Sequence, residues 1–202
     1  MKIRTLFLDI GGVLLTNGWD RQARKLAVER FHLNEEEVNE RHHLTFDTYE
    51  SGKLTLNEYL DRIVFYEPRD FSRAEFRDFM FEQSQAFQDI IDFFKAIKQK
   101  YQLKVVAVNN EGKELNDHRV KQFRLHELFD GFVSSCFVHL RKPDADIFLM
   151  AADISQTPPS EALYIDDRLM FVEVANSLGF HGHRHTNLTE TKEFMRSHGF
   201  SL

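Results

Sequence analysis

The sequence predicts an α/β fold, in which a parallel sheet carries helical crossovers and a helical segment is inserted after the first strand. Buried strands are expected where short apolar runs are bounded by glycine or polar residues, near 3–8, 103–108, 132–135 and 162–165. Helical patterns separate the later runs, and strands that alternate with helices form parallel sheets. Between residues 19 and 100 the apolar residues recur at helical spacing without a convincing strand, which predicts the insertion.

The first strand ends at Asp9, and Gly11 and Gly12 turn the chain directly after it. A carboxylate at the carboxyl end of a buried strand is badly placed for packing. It is well placed for chemistry, because ligands of open parallel sheets bind beyond these ends. Glycines there let backbone N–H groups approach a phosphate.

The inserted segment is expected to form helices that begin at capping side chains. Asn34 is followed three residues later by Glu37, which is the pattern of a capping box. Four residues of the type that caps helices precede apolar-periodic stretches: Asp20, Asn34, Thr55 and Ser72. An amphipathic helix over residues 87–100 then leads back to the sheet.

Helices and strands are expected to alternate beyond residue 103. Pro143 is expected near the first turn of its helix, where a missing N–H costs nothing, and Gly179 is expected to end another helix. The predicted elements are a helix over 113–125, a strand over 132–135, a helix from Pro143 to Ala152, a strand over 162–165, a helix ending at Gly179, a strand over 180–185 and a helix over 190–197.

Composition limits the class of protein. The chain has 202 residues and a net charge of −6, so broad binding to nucleic acid or to an anionic membrane is not expected. No apolar run approaches the roughly 20 residues that span a bilayer, and Asp9 interrupts the apolar N-terminal stretch that faintly resembles a signal peptide. The single cysteine, Cys136, excludes an intramolecular disulfide and is typical of a reducing compartment. We therefore expect a cytoplasmic protein.

Three carboxylates and one lysine fall at the predicted carboxyl edge of the sheet: Asp9, Asp166, Asp167 and Lys142. Clustered carboxylates repel one another unless a cation binds, and oxygen ligands with few dedicated protein contacts suit Mg²⁺. A lysine beside them can hold a phosphate as a point charge. A carboxylate that faces a phosphoryl group is a competent nucleophile.

Taken in order, these motifs resemble those of the haloacid dehalogenase (HAD) superfamily of phosphohydrolases, over nearly the whole chain. The first family motif, Asp-x-Asp-Gly-Thr/Val after an apolar strand, corresponds to Asp9-Ile10-Gly11-Gly12-Val13. The second, a Ser or Thr often followed by Asn, corresponds to Asn109-Asn110. The third, a Lys often before Pro, corresponds to Lys142-Pro143, and the fourth, an acidic pair, to Asp166-Asp167.

The resemblance implies a Rossmann-like core domain of residues 1–16 and 87–202, with a helical, C1-type cap domain over residues 17–86. It implies a metal-binding hydrolase, a phosphatase that uses Mg²⁺ and acts on a small phosphorylated metabolite. It implies neither a nucleic-acid nor a membrane partner, and a chain that works as a monomer or a homodimer.

The resemblance also implies a role for each motif residue. Asp9 would be the nucleophile that forms an aspartyl-phosphate and would share the metal with Asp167 and the backbone carbonyl of Gly11. Asp166 would assist through water or by orienting Lys142. The side chain of Lys142 would neutralise the phosphoryl oxygens. Phosphate contacts are implied for the residues around the turn and the second motif: Gly12, Asn109 and Asn110.

Two positions depart from the family pattern. Gly11 stands where the family has its acid/base aspartate, a group worth roughly 10²–10⁴ in rate, and Asn109 replaces the usual hydroxyl. A good leaving group, the substrate itself or a residue of the cap could compensate. The cap residues of suitable chemistry are His42, His43, Asp47 and Glu50.

Three functions therefore stand open. The first is a Mg²⁺-dependent phosphatase with Asp9 as nucleophile, and the second is a catalytically weakened protein of this fold that binds phosphate, metal or a partner. The third is attack of the carboxylate on carbon, as in a dehalogenase, for which the acidic pair would be superfluous. His181, His183 and His185 would share one face of a strand, which we interpret as a polar edge rather than a metal site.

Overall fold

The computed structural model describes residues 2–202 and is built around a five-stranded parallel sheet. The strands are β1 (Thr5–Leu8), β2 (Lys104–Asn109), β3 (Gly131–Ser134), β4 (Ala162–Asp166) and β5 (His181–Arg184). Their order across the sheet is β3-β2-β1-β4-β5, and every neighbouring pair is parallel. The α/β fold with a parallel sheet is thus confirmed, with the first strand at the centre.

The central strands are apolar throughout because both faces of the sheet are covered. Leu6 and Leu8 of β1 point to one hydrophobic cluster, whereas Phe7 belongs to the cluster on the other face. Phe7 lies opposite Val106 and Tyr164 in the two neighbouring strands. Because successive side chains alternate between faces, a continuous apolar run is the signature of such a doubly covered strand.

Ten α-helices lie within residues 2–202: α1 (Arg21–Arg30), α2 (Glu35–Glu50), α3 (Leu56–Ile63), α4 (Arg73–Glu82), α5 (Gln88–Tyr101), α6 (Lys113–Gln122), α7 (Ser135–Val138), α8 (Ala145–Ser155), α9 (Leu169–Ser177) and α10 (Leu188–Ser197). Helices α5 and α10 contribute to the cluster on the Leu6 face, and α8 and α9 to the cluster on the Phe7 face. None of the helices in residues 2–202 combines the length and the apolar character needed to cross a membrane.

Helices α1 to α4 lie between β1 and α5 in the chain and share a hydrophobic cluster of their own. The cluster is aromatic: the rings of Trp19 and Phe76 meet edge to face at 5.7 Å, and those of Tyr49 and Tyr59 stack at 4.4 Å. Leu115 of α6 is the residue of the sheet-bearing part that joins them.

The predicted caps of this segment are confirmed, since each of the four side chains accepts a hydrogen bond from the backbone N–H three residues later: Asp20, Asn34, Thr55 and Ser72. Thr55 and Ser72 form complete capping boxes. At Asn34 the second half of the expected box does not form, because the Glu37 carboxylate accepts from Arg41 Nε at 2.6 Å instead.

Two predicted helix boundaries were wrong. Pro143 is not in the first turn of α8, because Asp144 is the N-cap and its side chain accepts from the N–H of Asp146. Helix α6 ends at Gln122 rather than near Leu125, since Arg124 adopts a left-handed backbone with φ of 51°. Both differences are local, and neither moves a strand end.

Candidate active site

The parallel register brings the ends of β1 and β4 together. Leu8 of β1 pairs with Ile165 of β4 and with Ala107 of β2. The N–H of Asp9 donates to the carbonyl of Ile165 at 2.9 Å, so Asp9 emerges from the sheet beside Asp166. The site therefore begins where the first predicted motif meets the last.

Asp9, Asp166 and Asp167 form a compact carboxylate cluster. One oxygen from each side chain lies within 4.8 Å of the others, and no other group of three potential metal ligands in residues 2–202 comes this close. Asp167 Oδ1 is buried and has no hydrogen-bond partner. Three carboxylates with an unsatisfied buried oxygen are a donor set that fits a hard divalent cation such as Mg²⁺.

Lys142 lies buried between two of these carboxylates. Its Nζ is 3.0 Å from Asp9 Oδ1 and 2.6 Å from Asp166 Oδ2. Asp166 also accepts from the Tyr164 hydroxyl and, at 2.8 Å, from the backbone N–H of Arg168. Both oxygens of Asp166 thus accept hydrogen bonds, one of them from Lys142. The Asp9 carboxylate contacts Lys142 through Oδ1.

Burial shifts the proton affinities of these groups. It raises the pKa of Asp9 to about 7, against the attraction of Lys142 and with further repulsion from Asp166 and Asp167. Burial likewise raises the pKa of Asp167, partly offset by Arg168. Burial disfavours the charge on Lys142, but the two carboxylates beside it outweigh that effect and raise its pKa. A cation at the cluster would favour the ionised carboxylates.

The glycine turn after β1 is shaped by its neighbours. Gly12 has φ of +73°, and a Cβ built there would lie 2.4 Å from the Asp167 carboxylate, so a side chain is excluded. At Gly11, a Cβ would lie 3.2 Å from Asn17 Oδ1 and 3.8 Å from Arg119 Nη1. An amide and a guanidinium therefore border the space that the family's second aspartate would occupy.

The two asparagines at the end of β2 use their side chains to hold neighbouring elements. Asn109 Oδ1 accepts from Ser134 Oγ at 2.7 Å, and its Nδ2 donates to Asn116 Oδ1 at 3.1 Å. Asn110 Nδ2 donates to the carbonyl of Lys142 at 2.8 Å, and its Oδ1 accepts the Lys142 N–H at 2.9 Å. Phosphate contacts from these residues stay a prediction; in this structure Asn110 positions the lysine loop.

A cavity of about 530 Å³ opens above the carboxylates, and it contains Asp9, Gly11, Asn109, Asn110, Lys142 and Asp167 among its lining residues. The inserted helical segment supplies another part of the wall: Asp20, Arg21, Arg24, His42, Phe46 and Glu50. Arg141 and Arg168 line it as well, so several cations surround the space. This charge pattern suits an anionic ligand.

The residues of the inserted segment that were considered as acid/base groups are placed differently from one another. Burial lowers the pKa of His42 to about 3, and its Nδ1 lies 2.6 Å from the Tyr59 hydroxyl, so its imidazole is neutral at neutral pH. Asp47 and Glu50 both pair with Arg141. His43 is exposed and is not among the residues that line the cavity.

Sequence reasoning missed a buried ion pair in the cavity wall. Glu111 Oε2 accepts from Arg119 Nη1 at 2.6 Å, and both residues line the cavity. Arg119 Nη2 also donates to the carbonyl of Thr16 at 2.6 Å, which ties α6 to the chain that leaves the glycine turn. The available signal was the position of Glu111, directly after Asn109-Asn110 at a strand end.

Comparison with known proteins identifies the family. A family model described as haloacid dehalogenase-like hydrolase matches residues 3–179. The chain belongs to the haloacid dehalogenase-like hydrolases. The family predicted from the sequence is thereby confirmed.

The chain is 22% identical over 200 residues to bifunctional epoxide hydrolase 2 of Sus scrofa, covering 89% of this chain and 36% of that protein. It thus spans about a third of the length of that curated relative.

Two solved structures illustrate the fold. A HAD family enzyme from Bacteroides thetaiotaomicron, in complex with magnesium and inorganic phosphate, is 20% identical with a TM-score of 0.77, covering 94% of this chain and 98% of that one. The L-2-haloacid dehalogenase from Xanthobacter autotrophicus, with chloropropionic acid covalently bound, is 14% identical with a TM-score of 0.63, covering 99% and 85%. At these identities the likeness establishes the shared fold.

Proposed function

We propose that this HAD-like hydrolase is a Mg²⁺-dependent phosphatase that acts on a small phosphorylated metabolite through an aspartyl-phosphate on Asp9. The observation that carries the proposal is the placement of Asp9 at the base of the cavity. Its carboxylate lies 3.0 Å from Lys142 Nζ and belongs to the three-carboxylate cluster. The magnesium and phosphate bound by the Bacteroides thetaiotaomicron enzyme of the same fold agree with this assignment.

Asp9, Asp167 and the backbone carbonyl of Gly11 are the groups that would hold Mg²⁺, with Asp166 acting through Lys142. The buried Oδ1 of Asp167, which has no hydrogen-bond partner, supports this choice. When bound, the ion supplies positive charge for the phosphoryl oxygens and for the crowded carboxylates.

The protein's own residues perform the covalent step. A carboxylate oxygen of Asp9 forms a bond to phosphorus while the bond from phosphorus to the leaving oxygen breaks. Lys142 stabilises the ionised form of Asp9 and the charge on the phosphoryl oxygens, and Asp166 fixes Lys142 in place. Water then attacks phosphorus, which releases phosphate and restores the Asp9 carboxylate.

We further propose that residues 1–16 and 87–202 form the core domain and residues 17–86 a cap that selects the substrate. The separate hydrophobic cluster of α1 to α4 and the cap residues in the cavity wall support this division. A cytoplasmic location is proposed because the one cysteine, Cys136, is buried and unpaired.

A catalytically weakened protein that binds phosphate and metal is the second candidate. Gly11 favours it, since no side chain is available there to protonate a leaving group. Attack on carbon is less well supported, because halide leaves without a metal and that reaction has no need of a metal site at the acidic pair Asp166-Asp167.

Hydrolysis of an aryl phosphate separates these functions, because an aryl leaving group needs little protonation. We expect Mg²⁺-dependent turnover that is removed by chelation and falls by more than about 10³ in Asp9→Asn, the loss typical of a deleted nucleophile. Asp92→Asn, at an exposed position of α5, is the matched control and should retain turnover.

Absence of turnover in the folded wild-type protein would contradict the phosphatase. If Mg²⁺ and inorganic phosphate together still raised the melting temperature of that inactive protein, the binding function would be the correct one. Release of halide from a 2-haloacid, with Asp9 required, would instead establish attack on carbon.

A further inference from the structure

We propose that Glu111, positioned by Arg119, donates a proton to the leaving oxygen and then accepts one from the attacking water, in place of the side chain that is missing at Gly11. This inference rests on the proposed phosphatase function and supplies the step that Gly11 leaves open. Arg119 is the positioning residue of the pair, since a guanidinium stays protonated and cannot act as the acid.

The pair reaches the space that Gly11 leaves open. Arg119 Nη1 is 3.8 Å from the position of a Cβ at Gly11 and 3.1 Å from that of a Cβ at Gly18. The same nitrogen donates to Glu111 Oε2 at 2.6 Å. A guanidinium therefore borders the space where the family's acid/base aspartate would project, and the Glu111 carboxylate that it holds lies next to it, with Oε2 3.7 Å from the position of a Cβ at Gly18.

Burial alone does not explain this pair. The side chains of Arg119 and Glu111 are 4% and 10% exposed, yet both line the cavity that contains Asp9 and Lys142. Buried ion pairs contribute little net stability, because desolvation offsets their attraction. An ion pair that is nearly withdrawn from water but open to a ligand cavity is more typical of a functional site.

Glu111 also retains capacity for a further hydrogen bond. Its Oε2 is occupied by Arg119, whereas Oε1 accepts only a long bond of 3.3 Å from the N–H of Gly112. The backbone N–H of Glu111 donates to Ser135 Oγ at 3.0 Å, which fixes the residue at the end of β2. The backbone of Glu111 is thus held in place, while its Oε1 has only a long hydrogen bond and can interact with a ligand.

The surroundings of Glu111 favour proton transfer near neutral pH. Burial raises its pKa to about 7, with Arg119 opposing the shift and Glu50 adding to it. The other titratable neighbours stay neutral there, because burial raises the pKa of Cys136 to about 12 and that of Tyr49 and Tyr59 well above the usual tyrosine value. An acid–base group works best when its pKa lies near the working pH.

Glu111 takes part in one proton transfer in each half of the reaction. Protonated Glu111 gives its proton to the leaving oxygen as the bond from that oxygen to phosphorus breaks and Asp9 takes the phosphoryl group. The Glu111 carboxylate then removes a proton from the water that attacks phosphorus. Release of phosphate returns Asp9 to the carboxylate and Glu111 to the acid.

A leaving-group comparison tests the inference. In Glu111→Gln, we expect kcat/KM for an alkyl phosphate, which reports the steps through cleavage of the leaving-group bond, to fall by roughly 10²–10⁴, the worth of general acid–base catalysis. The kcat/KM for an aryl phosphate should change little, because its leaving group needs little protonation. Asp61→Asn is the matched control, because Asp61 is another carboxylate that pairs with an arginine, Arg73, but it is not among the residues that line the cavity. It should leave kcat/KM for the two substrates in the wild-type ratio.

The pH profile gives a second readout that needs no variant. With the alkyl substrate, wild-type kcat/KM should decline as pH rises through about 7, where Glu111 loses its proton. With the aryl substrate that decline should be absent. Glu111→Asp, which keeps the acid on a shorter arm, should retain the declining limb and serves if Glu111→Gln does not fold.

Equal losses of kcat/KM on both substrates in Glu111→Gln, or identical pH dependence of kcat/KM for both in the wild type, would overturn the role of Glu111 as the acid. These results presuppose turnover of the aryl substrate by the wild-type protein. Absence of that turnover would instead contradict the phosphatase function itself, so the two failures are distinguishable.

Discussion

The charged residues of the candidate site differ from other charged residues of the chain in their burial. Lys142 and Asp166 are 1% and 0% exposed as side chains, whereas the Arg4–Glu161 pair is 57% and 32% exposed. Exposed pairs contribute little, and a charge buried alone costs several kcal/mol or neutralises. Asp9, Lys142 and Asp166 therefore have to be considered as one unit whose ionisation states depend on one another.

Replacing Gly12 by alanine should damage this unit directly. The left-handed backbone at Gly12 costs an alanine about 1–2 kcal/mol, and its methyl group would overlap the Asp167 carboxylate. We expect lower stability in urea and a smaller rise of the melting temperature on adding Mg²⁺. Gly131→Ala is the control, since nothing lies within 4 Å of a Cβ there. If Mg²⁺ raised the melting temperature of Gly12→Ala as much as that of the wild type, the glycine turn would not be needed for metal binding.

His42 should make the stability of the protein depend on pH. Its folded pKa of about 3 lies below the ordinary value of 6.5, so the unfolded state takes up a proton first as pH falls. The contribution is complete above about pH 6.5 and is lost progressively toward pH 3. The loss amounts to roughly 2–3 kcal/mol by pH 4.5, since that pH lies two units below 6.5 and each unit is worth about 1.4 kcal/mol.

Urea unfolding of the wild type and of His42→Gln at several pH values measures this contribution. The amide of glutamine can still accept from the Tyr59 hydroxyl but does not titrate. We therefore expect a flatter dependence of unfolding free energy on pH in the variant between pH 6.5 and 4.5. Parallel curves for the two proteins would show that His42 is as accessible to protons in the folded state as in the unfolded state.

At the scale of elements, local signals predicted the four helix starts of the inserted segment well, but one later helix start and one helix end were wrong. Thr55 and Ser72 cap their helices as expected, because the interacting groups are three residues apart in the sequence. Pro143 was misplaced because Asp144, one residue later, offers a side-chain cap that a proline lacks. Asn110 could be recognised as a motif residue, but its bonds to the Lys142 loop join positions 32 residues apart.

Asn110→Ala tests whether the link between two loops matters for turnover. It removes the bonds of 2.8 and 2.9 Å to the backbone of Lys142 and leaves Lys142 itself unchanged. A displacement of about 1 Å in a catalytic group can cost about 10²-fold, so we expect kcat for an aryl phosphate to fall by up to that factor.

Asn176→Ala provides the comparison, because Asn176 Oδ1 accepts from the N–H of Gly182 at 2.7 Å outside the residues that line the cavity. It should lose a side-chain bond to the backbone without losing turnover. Equal turnover in the two variants would mean that Asn110 is not needed to position Lys142.

At the scale of the whole molecule, the parallel sheet explains why four separate motifs could be predicted to meet. Each motif follows a strand or lies in a loop at the carboxyl edge, and that edge is common to all strands of a parallel sheet. The Glu111–Arg119 pair and the contact of Arg141 with Glu50 were not predictable in the same way. They depend on how α6 and α2 lie over the sheet, and no local pattern in the sequence records that packing.

The most direct test of the central claim is the detection of a phosphoryl group on Asp9 during turnover. The Mg²⁺-loaded protein is mixed with an excess of aryl phosphate and quenched in acid, and its peptides are analysed by mass spectrometry. We expect one phosphoryl group on the peptide that contains Asp9, and none in Asp9→Asn. Sustained, Mg²⁺-dependent turnover with no phosphoryl group on that peptide, and with turnover preserved in Asp9→Asn, would contradict the assignment of Asp9 as the nucleophile.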